Sequence, residues 1–256
     1  MAQVSDMRYL KLTIAYDGTD YVGWQVQPNG VSIQQRLEEA WQNVTRESIR
    51  IIASGRTDAG VHALGQVCSL TTESALPVER IQAALNAHLP ADIRVSRIDQ
   101  AAVNFHAIRD ARFKTYRYQL QSGPLVDLFS RRYCWFVRGE LDIAAMQAAA
   151  GYLIGTHDYS SFEATGAPRQ DSIRTITHLD VCARQRHGFE FMDVEITADG
   201  FLYNMVRNIV GTLVITGQGK QETDWVTSVL AGKDRSLAGA TAPAHGLFLV
   251  SVAYGD

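Results

Sequence analysis

Asp58 sits between two glycines in the octet Gly55-Arg56-Thr57-Asp58-Ala59-Gly60-Val61-His62, directly after the apolar run Ile49-Arg50-Ile51-Ile52-Ala53-Ser54. Glycine relaxes backbone limits on both sides, so such a turn can lift a side chain clear of the preceding strand. Arg56, two positions earlier, favours the ionised carboxylate, and His62 follows four positions later. An anion held this way is suited to proton abstraction or nucleophilic attack. The same spacing also describes an Asx-turn or a helix N-cap, where the oxygen only accepts backbone N–H groups.

Two more places carry polar groups of chemical interest. One is Phe105-His106-Ala107 with Tyr116-Arg117-Tyr118, where Tyr116 offers a ring face and a hydroxyl. The other is Arg207 in Asn204-Met205-Val206-Arg207-Asn208-Ile209-Val210-Gly211. Met205, Ile209 and Leu213 with Val206 and Val210 give that helix a wide apolar face, and Arg207 lies beside it. A buried guanidinium needs an anionic partner, because an unpaired interior charge is very costly. Asp58, Glu195 and Asp199 are the partners available.

Charge is uneven although the chain as a whole is weakly acidic, with a formal net charge of −3. Arg109, Arg112, Lys114, Arg117, Arg131, Arg132 and Arg138 face only Asp110 and Asp127 in the same stretch, and Phe113, Tyr116, Tyr118, Tyr133, Trp135 and Phe136 interleave. A confined basic stripe with aromatic faces suits a phosphate backbone and unstacked bases. The alternative is a pair of amphipathic strands with a solvated basic face.

The elements that must position these residues alternate between the two periods of secondary structure. Residues 9–16 read as a strand ending at Asp17-Gly18, and 49–54, 65–72 and 93–98 as further strands. A helix starts at Ser32, with Gln35 completing a capping box and Ile33, Leu37, Ala40, Trp41 and Val44 as its stripe. A second starts at Pro77, with Ile81, Ala84, Leu85 and His88 on one face. Strands follow at 114–121, 131–137, 173–183, 189–197 and 247–253, and helices at 142–153, 202–216 and 223–231. Glu163 to Gln170 reads as a mobile loop. This order implies an α+β fold of two similar halves, each an antiparallel sheet covered by helices, with the cleft between them a favoured place for a ligand. Residues 1–104 would form the N-terminal domain with the Asp58 loop, and 105–256 the C-terminal domain with the Tyr116 strand and the Arg207 helix.

At 256 residues, 46% hydrophobic and 20% charged, the composition is that of an ordinary globular protein. No apolar run reaches the ~20 residues of a membrane span. Met1 to Asp6 lacks the basic and apolar regions of a secretion signal, so a cytoplasmic protein is expected. Cys68, Cys134 and Cys182 form no CxxC pair and the seven histidines no HExxH spacing, so neither a disulfide framework nor a metal is expected. Each cysteine reads as a half-buried strand filler.

The octet extended through Gly65-Gln66-Val67, the run Asn86-Ala87-His88-Leu89-Pro90, Phe105-His106-Ala107, and Met205 to Gly211 together resemble the tRNA pseudouridine synthase A family. Tyr16-Asp17-Gly18 with Gly23-Trp24-Gln25, and Lys233-Asp234-Arg235 with Gly246-Leu247, resemble it too, so the likeness covers the whole chain in order. The resemblance implies conversion of uridine to pseudouridine at positions 38, 39 and 40 of the tRNA anticodon stem-loop, with no metal or organic cofactor. It makes Asp58 the essential aspartate, Tyr116 the tyrosine that stacks on the target base and Arg207 the arginine that pairs with the aspartate. Arg56 then handles the flipped nucleotide, and His62, Arg109 and Lys114 join the substrate contacts. It also implies two similar α/β halves whose antiparallel sheets join into one extended mixed sheet flanked by helices, with the active-site cleft between the halves, and a homodimer that binds tRNA across both subunits.

One departure stands out. The family commonly places arginine after His-Ala, whereas here the run is His106-Ala107-Ile108-Arg109, and a one-residue shift on a strand reverses the face. Two other classes of function fit parts of the chain. A non-catalytic RNA-binding module would make Asp58 dispensable. A hydrolase using Asp58 and His62 would need the Ser or Cys nucleophile elbow or metal ligands that do not accompany them.

Overall fold

The structure, a computed structural model, describes residues 7–164, 171–186 and 188–255. Residues 1–6, and residues 165–170 of the stretch read as a loop, lie outside these. The fold is α+β, with a large mixed sheet flanked by helices, as expected. The chain divides into two compact units, Met1–Arg112 with Leu249–Asp256, and Phe113–Phe248.

In the first unit β1 (Arg8–Tyr16) buries Leu10, Leu12, Ile14 and Tyr16 on one face, the alternation that a half-buried strand requires. Helix α1 (Ile33–Thr45) starts at Ser32, whose hydroxyl accepts from Gln35 N. The capping box forms only in this direction, because the Gln35 carboxamide donates to Glu39 instead. The strand expected over 49–54 shrinks to β2 (Ile52–Ala53), since α1 takes the Ile51 backbone: Glu38 Oε1 accepts from Ile51 N and Gln34 Nε2 donates to Ile51 O. β3 (His62–Thr72), α2 (Val78–His88) and β4 (Ile93–Gln100) complete this part. β1 pairs antiparallel with β3 on one side and β4 on the other. Ile81 and Leu85 of α2 are buried, whereas His88, expected on their face, is exposed at the helix end.

The second unit holds β5 (Ala111–Gly123), whose first two residues belong to the first unit, and β6 (Trp135–Arg138), which pairs parallel with it. The arginine and aromatic run before β6 is turn rather than strand. Asp127 accounts for this, accepting from Phe129 N at 3.1 Å and Ser130 Oγ at 2.6 Å. Helix α3 (Ile143–Gly151) precedes β7 (Gly155–Asp158), a polar four-residue strand that the sequence did not announce. β8 (Ile173–Arg186) and β9 (Phe189–Ala198) follow, and the order β5-β9-β8-β7 is antiparallel throughout. Helices α4 (Met205–Gly217) and α5 (Trp225–Gly232) come next, with α3 packed beside α4. β10 (Leu247–Tyr254) returns to the first unit, where it neighbours β3.

Of the three cysteines expected to be half-buried, Cys68 and Cys134 are fully packed away and Cys182 is exposed. Among the described residues no helix is long and apolar enough to cross a membrane.

Candidate functional site

The Asp58 loop is tied down on both sides. Asp58 forms an isolated antiparallel bridge with Gly23, and Trp24 N donates to Thr57 O at 2.9 Å. Val61 N donates to Asp58 O at 3.1 Å, closing a four-residue turn in which Gly60 takes φ +77°. The partner segment comes very close. A Cβ at Gly23, where φ is +107°, would lie 2.7 Å from Thr57 O, and one at Gly18 would overlap the Val61 carbonyl. Asp58 is half-buried at the mouth of this double loop, while Arg56 is exposed beside it.

His62 belongs to the scaffold of the loop. Its side chain is buried, Nδ1 accepts from Gly18 N at 3.1 Å, and Asp17 Oδ1 lies 3.0 Å away. A ring packed this way clamps the Asp17-Gly18 turn to the start of β3.

Beneath the loop runs a polar chain that the sequence did not reveal. Tyr16 Oη and Thr57 Oγ1 are 2.8 Å apart. Gln66 Nε2 donates to Gly55 O at 2.8 Å and reaches Tyr16 Oη at 3.4 Å, and Ser54 Oγ donates to Gln66 Oε1 at 2.8 Å. All four side chains are buried, and burial pushes the Tyr16 phenol well above its usual pKa. The signal for this network was a glutamine ahead of the apolar pair Val67-Cys68, on the strand face where Leu64 is exposed while Gln66 is fully buried.

Arg109 lies in a turn, not a strand. Asp110 N donates to His106 O, and His106 Nδ1 accepts from Ile108 N. Strand alternation therefore does not separate Ile108 from Arg109. Both are exposed, and Arg109 Nη2 donates to Asn104 O at 3.3 Å.

In the second unit Lys114 and Tyr116 share one face of β5, two residues apart. Tyr116 is buried, with its ring edge-on to Phe201 at 4.9 Å between centroids. Burial lowers the Lys114 ammonium from its usual pKa. Arg117 does not contribute a free cation to a basic stripe, because Nη2 bonds Glu195 at 3.0 Å and Asp193 lies 3.6 Å from Nε.

Arg207 is fastened within its own unit. Nε donates to Ala242 O at 2.7 Å, Nη1 donates to Asn204 Oδ1 at 2.9 Å, and its backbone oxygen accepts from Ala242 N. Two of the carboxylates considered for it have other partners: Glu195 holds Arg117, and Asp199 Oδ1 accepts from Thr175 N. The Arg207 charge reaches the neighbouring Tyr118 phenol and partly offsets the rise in pKa that burial causes there. The next residue, Asn208, is fully buried. It donates to Phe162 O at 2.7 Å and accepts from Arg235 Nη2 at 2.9 Å and Thr241 Oγ1 at 2.7 Å, which secures the 235–242 segment to α4.

Among the described residues no group of three or more His, Cys, Asp or Glu side chains is placed to hold a metal ion. A family model described as tRNA pseudouridine synthase matches residues 12–109 and 149–255. The chain is 43% identical over 248 residues to tRNA pseudouridine synthase A of Thermoanaerobacter sp. (strain X514), covering 97% of this chain and all of the relative. It is 47% identical over 242 residues to the protein of that name from Halalkalibacterium halodurans, covering 94% and 90%. The corresponding Moorella thermoacetica protein is 46% identical over 250 residues, covering 97% and 100%. With the motifs, the fixed Asp58 loop and these matches in agreement, the chain belongs to the tRNA pseudouridine synthase family.

Proposed function

We propose that this protein isomerises uridines 38, 39 and 40 of the tRNA anticodon stem-loop, with Asp58 as nucleophile or base. As a member of its family it is an isomerase that converts uridine in tRNA to pseudouridine. The reaction breaks the C1′–N1 bond, rotates the base, forms C1′–C5, releases the C5 proton and leaves N1 protonated, so protons balance. It needs no redox partner and no net addition of water. The base must first leave the stack, at a cost of a few kcal/mol that an aromatic pocket helps to offset. Tyr116 supplies that face and a hydroxyl for proton movement, and Arg207 keeps Asp58 ionised and oriented. Arg56, Arg109 and Lys114 contact the RNA. The enzyme works without a cofactor as a cytoplasmic homodimer, and sedimentation of the purified protein reads its subunit number.

The observation that carries this reading is the Asp58 loop, bridged to Gly23 and closed by Gly60 so that one half-buried carboxylate has a fixed place. The test is tritium release from tRNA labelled at uridine C5. Release by the purified wild type and its loss in Asp58→Ala support the proposal, and undiminished release by the variant refutes it. Binding of tRNA without release by the wild type would favour an RNA-binding module.

Arg207→Met should damage both activity and folding. It removes the hydrogen bonds to Ala242 O and Asn204 Oδ1, and in the proposed site it also leaves Asp58 without its cation. We expect a lower melting temperature and at least ~100-fold slower release. A Met variant as stable and active as wild type would rule out the role.

A further inference from the structure

The buried side chains under the catalytic loop form a line with a direction. Gln66 Oε1 accepts from Ser54 Oγ, so its amide nitrogen faces Gly55 O and Tyr16 Oη as a donor. Tyr16 Oη accepts there, and its one proton is satisfied by Thr57 Oγ1, 2.8 Å away. Hydrogen bonds thus run Ser54 to Gln66 to Tyr16 to Thr57, and they end on the residue immediately before Asp58. The Thr57 backbone is meanwhile held from the other side by Trp24 N. A chain of buried, mutually satisfied polar groups stiffens what it touches, and its partners are costly to orphan.

We propose that Tyr16 is a positioning residue for Asp58, acting through the Thr57 hydroxyl with Gln66 as its support. The proposal rests on the reading of Asp58 as the reacting carboxylate. Tyr16 closes the end of β1, where pairing with β3 resumes at Ala63 after a register shift, and it belongs to the strand face that is buried from Leu10 onward. Thr57 side-chain and backbone bonds together fix the dihedral angles that aim the next side chain. Reaction geometry tolerates little error, and a displacement of about 1 Å at a catalytic group is enough to cost ~100-fold in rate.

The test compares Tyr16→Phe, Thr57→Val and the double variant in steady-state tritium release, with melting temperatures measured alongside. Tyr16→Phe removes one oxygen from a ring that otherwise keeps its packing. We expect kcat to fall by ~10- to 100-fold with KM for tRNA within about twofold. Thr57→Val should lose a similar factor, Thr57→Ser should recover it, and the double variant should be no slower than the slower single variant. Wild-type kcat in Tyr16→Phe, or losses that multiply in the double variant, would overturn the proposal. Asp58→Ala runs in the same assay. Should it remain active, the assignment of Asp58 fails instead, which separates the two claims.

Discussion

Asp58→Ala is expected to slow isomerisation by ~1000-fold or more under single-turnover conditions, with tRNA affinity within a few-fold of wild type. Two physical features set that expectation. The carboxylate is the group proposed to meet the sugar or the base, by attack at C1′ or C6 or by abstraction of a ribose proton, and alanine can do none of these. Most of the RNA affinity instead comes from phosphate contacts by cations elsewhere, which the substitution does not touch. The loop itself should survive. Trp24 N to Thr57 O, Val61 N to Asp58 O, the Gly23 bridge and the Gln66 and Thr57 side-chain bonds hold it, and none of them needs the Asp58 side chain. Asp58→Asn sharpens the result, because it keeps the shape and removes the charge. Both variants should bind tRNA in a filter assay and release almost no tritium from C5. Loss of binding in step with activity would mean that Asp58 organises the RNA surface rather than the reaction.

How much of this was legible depended on which physical signal each residue left. The octet stood out because two glycines flank one carboxylate straight after an apolar run, and the turn they predict is present at Asp58–Val61. The strand ending at Tyr16 and the helix starting at Ser32 were readable through period and capping, and both formed as expected. Signals failed where a side chain from another element intervened. Gln34 and Glu38 of α1 take the backbone of Ile51 and shorten β2, and Asp127 holds its neighbours in a turn before β6. The positioning network failed to show for a different reason. In a strand a polar residue reads as the outward face, yet Leu64 is exposed and Gln66 buried. Its partners at 16, 54 and 57 are far apart along the chain or on the other side of a turn, so no local window contains them. His62 shows the opposite case, since its titratable ring was plain in the sequence while its burial was not.

Gly211→Ala is expected to destabilise the protein by ~3 kcal/mol, against the sign that helix propensity alone would give. In a helix interior alanine outranks glycine by roughly 1 kcal/mol, so an exposed Gly211 would be an easy site to improve. Gly211 is not exposed. A Cβ there would overlap the carbonyl oxygen of Ala240 and come within 3.0 Å of its carbon, while a Cβ on Gly239 would lie 2.6 Å from the Gly211 backbone. Two backbones in direct contact cannot yield as a flexible side chain can, so the clash outweighs the propensity gain. The 235–242 segment would have to move, and with it Ala242 O, which holds Arg207 Nε, and Thr241, which bonds the buried Asn208. At ~2–4 °C per kcal/mol for a chain of this size, the melting temperature should fall by roughly 6–12 °C, with activity reduced beyond what the remaining folded fraction explains. Gly151→Ala is the matched control. It lies at the end of α3 with nothing within 4 Å of the added carbon, and it should leave stability unchanged or raise it by ~0.5–1 kcal/mol. Equal melting temperatures for the two variants would show that α4 and the 239–242 segment separate easily, and the close packing could then not be what fixes Arg207 in place.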